Sequence, residues 1–108
     1  MKLMTKEIEK RLEKFPIGSQ DDKGMDAEII VKYFTPFGNG TWLITEGEKI
    51  KGGDWELFGY CKIIEWEWGY IRLSELESLS LPFGLGYAVE RDMYLGNGRK
   101  VREVAKND

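Results

Sequence analysis

The chain is 108 residues long, 42% hydrophobic and 13% aromatic, which suits one domain with its own core and excludes a disordered chain. Its formal charge of −3 is unevenly spread: residues 1–14 carry five Lys/Arg against three Glu, residues 15–98 carry seven against fourteen Asp/Glu, and residues 99–108 carry four against two. An acidic body between basic ends repels a phosphate backbone and favours a basic protein surface, although the same charge also serves plain solubility.

The predicted order begins with a helix over residues 5–14. Thr5 is its N-cap, Glu7 lies in the first turn, and Met4, Ile8, Leu12 and Phe15 form one apolar stripe. Pro16 and Gly18 end it, and a polar loop spans residues 19–27. Residues 28–34 are β-branched and aromatic and predict a strand. The turn formers of residues 35–40 predict a hairpin into a returning strand over residues 41–45.

Residues 46–54 are charged and Gly-rich and predict a loop, but they lack the Gly-Lys-Ser/Thr ending of a phosphate-binding loop. The longest predicted strand follows over residues 55–64, with Cys61 inside it as a small buried hydrophobe. Residues 65–69 predict a turn or bulge, and residues 70–73 another strand. Ser74 is expected to cap a short helix over residues 74–79 in a capping box with Glu77, with Leu73, Leu76 and Leu79 docked on the sheet. Residues 80–87 hold one Pro and two Gly and predict no regular helix; residues 88–95 predict a further strand or an extended docking segment. The end of the chain predicts a polar, basic tail over residues 96–108, or a frayed helix within it, outside a core of residues 4–95. Sequential strands with short connections predict an α+β fold. It is an antiparallel meander of four to five strands, with the N-terminal helix and the short helix packed on it.

The residues available for chemistry are few. There is no His and one Cys, which removes the commonest general base, the Ser-His and Cys-His nucleophile pairs and the zinc finger. Glu75, Glu77, Glu90 and Asp92 are the carboxylates to consider around a hard cation such as magnesium. Glu90 and Asp92 share a face if extended, with Arg91 on the other. The plainer reading makes Glu90 and Arg91 structural, and explains Glu75 and Glu77 by the helix N-terminus. No catalytic residue, metal ligand or cofactor is predicted.

The aromatic pattern is more pointed. In Glu65-Trp66-Glu67-Trp68-Gly69-Tyr70, a period of two puts Trp66, Trp68 and Tyr70 on one face, which Trp42 and Trp55 are expected to join. Core packing, a protein-binding patch and a base-stacking platform all remain open, although the last also needs a basic groove.

Taken together, these segments resemble the bacterial family known as domain of unknown function 2958. The resemblance is carried by Trp42-Leu43-Ile44-Thr45-Glu46, Trp55-Glu56-Leu57-Phe58-Gly59-Tyr60, Gly69-Tyr70-Ile71-Arg72-Leu73-Ser74-Glu75-Leu76-Glu77, Leu81-Pro82 and Val89-Glu90-Arg91-Asp92-Met93-Tyr94. It spans residues 4–95 and leaves residues 99–108 outside. It brings no catalytic residues, and it implies an accessory role on plasmids, conjugative transposons and similar mobile DNA.

The expected function is therefore non-enzymatic protein binding, with an unidentified protein partner. One variant is an acidic inhibitor of a defence nuclease. The alternatives are a carboxylate-based divalent-metal enzyme and nucleic-acid binding through the basic ends. Candidate binding residues are Trp42, Glu46, Trp66, Trp68, Tyr70, Glu90, Arg91 and Asp92. The early polar residues read as no secretory signal, no run reaches the roughly 20 apolar residues of a membrane span, and one Cys suits a reducing compartment, so the cytoplasm is expected.

Overall fold

A computed structural model describes residues 2–36, 38–79 and 89–105. The predicted segment 80–87 and Leu81-Pro82 fall outside the described residues. The elements are helix α1 (Lys6–Glu13), strands β1 (Val31–Phe34), β2 (Thr41–Lys49), β3 (Trp55–Lys62) and β4 (Trp66–Arg72), helix α2 (Leu73–Ser78), strand β5 (Glu90–Arg91) and helix α3 (Val101–Ala105). The strands form one antiparallel sheet in the order β4-β3-β2-β1-β5. This is the expected α+β meander, with β5 returning beside β1.

Helix α1 starts where the Thr5 hydroxyl accepts the Ile8 amide at 3.2 Å. Ile8 and Leu12 bury its apolar stripe in a core with Ile44, Trp55, Leu57, Leu73 and Leu76. Each such aliphatic side chain contributes roughly 1.5–3 kcal/mol by leaving water. This core lies on the face of the sheet that α1 and α2 cover. Leu73 and Leu76 of α2 are buried as expected, but Leu79 lies beyond the helix and is exposed.

The cap of α2 also differs from expectation. The Glu75 carboxylate accepts the Arg72 amide at 2.9 Å, so the reciprocal acid is Glu75 and not Glu77. Ser74 is engaged elsewhere: its hydroxyl donates to the Asp54 carboxylate at 2.6 Å and its amide at 3.1 Å. The Ser74 hydroxyl and the Trp55 amide hold the Asp54 carboxyl below the usual range. A carboxylate at the β2–β3 turn thus anchors the start of α2.

Three boundaries move. Strand β2 runs on through Glu46 to Lys49, where a loop was expected. A β-bulge between Ile44 and Glu46 shifts the register, and both Thr45 and Glu46 are buried there. The turn proper comes later, closed by Gly52 and Gly53 at positive φ. Strand β4 likewise begins at Trp66, so residues 66–69 are ladder and not turn.

The third change concerns the end of the chain. Val101, Val104 and Ala105 are buried in a second cluster with Ala27, Ile29 and Leu43, on the sheet face opposite α1. The Ile29 amide donates to Arg99 O at 2.8 Å and the Val101 amide to Ala27 O at 3.0 Å. Arg102 clamps Asp26 at 3.0 Å and holds that carboxyl below its ordinary value. Residues 99–105 are therefore part of the fold and end in a buried helix, where a polar tail or a frayed helix was expected. Spacing of i, i+3 and i+4 gives α3 its apolar side in spite of its polar composition.

Candidate functional site

Strands β3 and β4 pair so that Tyr60 lies opposite Trp68 and Phe58 opposite Tyr70. Directly opposed residues share a face, so Phe58, Tyr60, Trp66, Trp68 and Tyr70 gather on one side. The rings form a zigzag ladder. Trp66 stacks on Tyr60 at 5.0 Å, and Tyr60 meets Trp68 at 4.9 Å. Trp68 stacks on Phe58 at 5.7 Å, and Phe58 meets Tyr70 at 4.8 Å. Contacts of this kind are worth about 0.5–1.5 kcal/mol each beyond their buried area.

The ladder runs from interior to solvent. Tyr60 and Trp66 pack against the second cluster beneath α3. Trp68 is 37% exposed and Tyr70 62% exposed. Lys62 lies over the Trp66 ring at 5.9 Å, and Arg72 pairs with Glu56 at 3.4 Å at the far end of the same face. Ile63 and Ile64 project from the tip of the β3–β4 hairpin, Ile64 with 87% exposure. Rigid, ordered rings at a surface lose little conformational entropy when a partner covers them.

The other predicted residues lie elsewhere. Trp42 and Trp55 do not join this face. Trp42 pairs with Cys61, which pairs with Glu67, so it points to the α1 side, where it is 3% exposed; Trp55 is in the same core. Glu46 is 1% exposed, and its carboxylate accepts the amides of Gly18 and Gln20, each at 2.7 Å. Both Trp42 and Glu46 hold the fold together and offer no surface.

Glu90, Arg91 and Asp92 lie at the opposite edge of the sheet, on and just after β5. Arg91 donates to Lys2 O at 2.8 Å on one side of the sheet. On the other, Asp92 pairs with Lys32 at 3.8 Å and accepts the Tyr94 amide at 2.8 Å. A groove of about 330 Å3 beside them brings three cations, Arg11, Lys32 and Arg91, near two carboxylates, Glu7 and Asp92. Arg11 spends its guanidinium on Glu28 at 3.3 Å and Ile30 O at 2.9 Å. Among the described residues no three Asp, Glu, Cys or His side chains gather as metal ligands.

Cys61 packs against the main core, and burial, with Glu67 adding to it, pushes its thiol up to about 12. It is therefore a protonated thiol at neutral pH and not a nucleophile. Tyr33 is a second buried titratable group. Its hydroxyl donates to Leu3 O at 2.7 Å, and burial raises it above its ordinary value.

Phe58 and Tyr60 escaped the sequence reading. Alternation along residues 55–62 carries the signal, but it becomes useful only with the hairpin register, which sets them beside Trp68 and Tyr70. No described helix is long and apolar enough to cross a membrane.

The model of a family described as "Protein of unknown function (DUF2958)" matches residues 3–107, including the C-terminal segment that the resemblance left outside. No curated protein and no solved structure matches.

Proposed function

The chain belongs to the DUF2958 family of proteins of unknown function, and from that premise we propose that it is a non-enzymatic accessory protein that binds another protein through the aromatic face of β3 and β4. The observation that carries this reading is the ladder Trp66–Tyr60–Trp68–Phe58–Tyr70, anchored beneath α3 at one end and open to solvent at Trp68 and Tyr70. Large, pre-ordered aromatics with one open side are the groups that dominate protein–protein binding energy. The acidic body, with fourteen Asp/Glu against seven Lys/Arg over residues 15–98, suits a basic partner surface. The setting within the proposal is cytoplasmic and bacterial, on a plasmid or conjugative element, as the family resemblance implies.

Affinity capture from the cell that encodes the chain tests this. Wild-type protein is expected to retain a stoichiometric partner. The double variant Trp68→Ser, Tyr70→Ser loses it while keeping the wild-type circular dichroism spectrum. Truncating one central aromatic in such a surface costs about 2 kcal/mol or more of binding energy. Equal retention by both proteins contradicts the proposal.

A further inference from the structure

The two edges of the sheet are unequal. On one side β5 is two residues long, and the side chain of its Arg91 is tied to Lys2 O. On the other, β4 presents seven residues, and among the described residues no strand pairs with its outer side. An edge of that length normally carries Lys, Pro or a bulge to prevent pairing with another chain. Strand β4, Trp-Glu-Trp-Gly-Tyr-Ile-Arg, contains neither Lys nor Pro, and its register against β3 is unbroken.

The strand is also complementary to itself. An antiparallel copy placed about a two-fold axis at Gly69 sets Trp68 opposite Tyr70 of the second copy, Glu67 opposite Ile71, and Trp66 opposite Arg72. All seven residues pair, no like charges face each other, and the strand's only cation meets an indole ring. A register centred on Glu67 would instead oppose two carboxylates. Gly69 stands opposite Gly59 on β3, and a Cβ built on Gly69 meets nothing within 4 Å, so no side chain obstructs the axis.

We infer that the occupant of the β4 edge is a second copy of this chain. It pairs antiparallel about Gly69, joining two sheets into one and doubling the aromatic face. This goes beyond the partner-binding reading, because it uses the outer backbone of β4 and leaves the ring faces open.

Sedimentation velocity of the full chain at tens of micromolar is expected to show a dimer. Trp68→Lys with Tyr70→Lys, which sets Lys against Lys across the axis, is expected to give a monomer. Two cysteine variants in a Cys61→Ser background read the register without breaking the interface. Cys at position 69 would face its own copy with Cα atoms roughly 4.5–5.5 Å apart, within disulfide reach. In Glu67→Cys the two Cα atoms stand roughly 13 Å apart along the strand, out of reach. Gly69→Cys should therefore form disulfide-linked dimers on mild oxidation at least about tenfold faster than Glu67→Cys. A monomer at every concentration, or equal cross-linking of the two variants, overturns the inference. Neither result depends on whether Trp68 and Tyr70 retain a different protein, so the two readings fail separately.

Discussion

Gly59→Ala is expected to destabilise the domain by at least about 3 kcal/mol, a large part of the 5–15 kcal/mol that holds a typical domain folded. Gly59 lies in β3 opposite Ile44, one residue from the bulge in β2. A Cβ there would collide with the Leu43 carbonyl oxygen and crowd the Ile44 Cα at 2.8 Å. Both obstacles are backbone of the neighbouring strand, so no rotamer change relieves them. The two central strands would have to separate. Gly69→Ala is the control: it lies across the ladder on β4 in open space, and its effect should stay within about 0.5 kcal/mol. Urea denaturation of the three proteins gives the comparison, and a Gly59→Ala midpoint equal to that of wild type would refute the close approach.

Glu46→Ala is expected to cost about 3 kcal/mol, by leaving the amides of Gly18 and Gln20 without their acceptor. The carboxylate ends a buried polar chain. Gln20 donates to Glu28 O at 2.9 Å and Thr45 O at 2.8 Å, and accepts the Glu28 amide at 2.8 Å. Arg11 continues it from α1 to Glu28. Together these bonds fasten the segment after α1 to the bulge in β2. No described buried side-chain polar atom is left without a partner, and such a network loses most when one member is removed. Gln20→Ala should therefore cost a similar amount, and the double variant less than the sum, because the two residues serve the same segment. If Glu46 instead met a partner, its removal would leave the denaturation midpoint unchanged.

Much of the architecture was legible because its signals are local. Thr5 and the stripe Ile8–Leu12 specify α1 through capping and helical period, and the turn formers after Phe34 specify the first hairpin. What escaped depends on register. The bulge at Thr45 turns Glu46 inward, and nothing in a charged, Gly-rich stretch announces that a carboxylate will be satisfied by amides of a segment nearly thirty residues earlier. Ile63 and Ile64 are β-branched and read as strand, yet they form an exposed hairpin tip. Placing the turn after them hid the alignment of Phe58 and Tyr60 with Tyr70 and Trp68. In the last segment the charges of Arg99, Lys100 and Arg102 mask an apolar side that is visible only at helical spacing. For the candidate surface, the alternation in residues 66–70 was sufficient to group three rings. It could not show that Trp42 and Trp55 face the other way, since that follows from pairing across β2 and β3.

Amide hydrogen exchange of the chain with and without its captured partner tests the central claim most directly. The account predicts slowed exchange concentrated in residues 56–72, over β3, the hairpin tip and β4. Protection confined to α1, or to the segment around Glu90 and Asp92, with β3 and β4 unchanged, would contradict it.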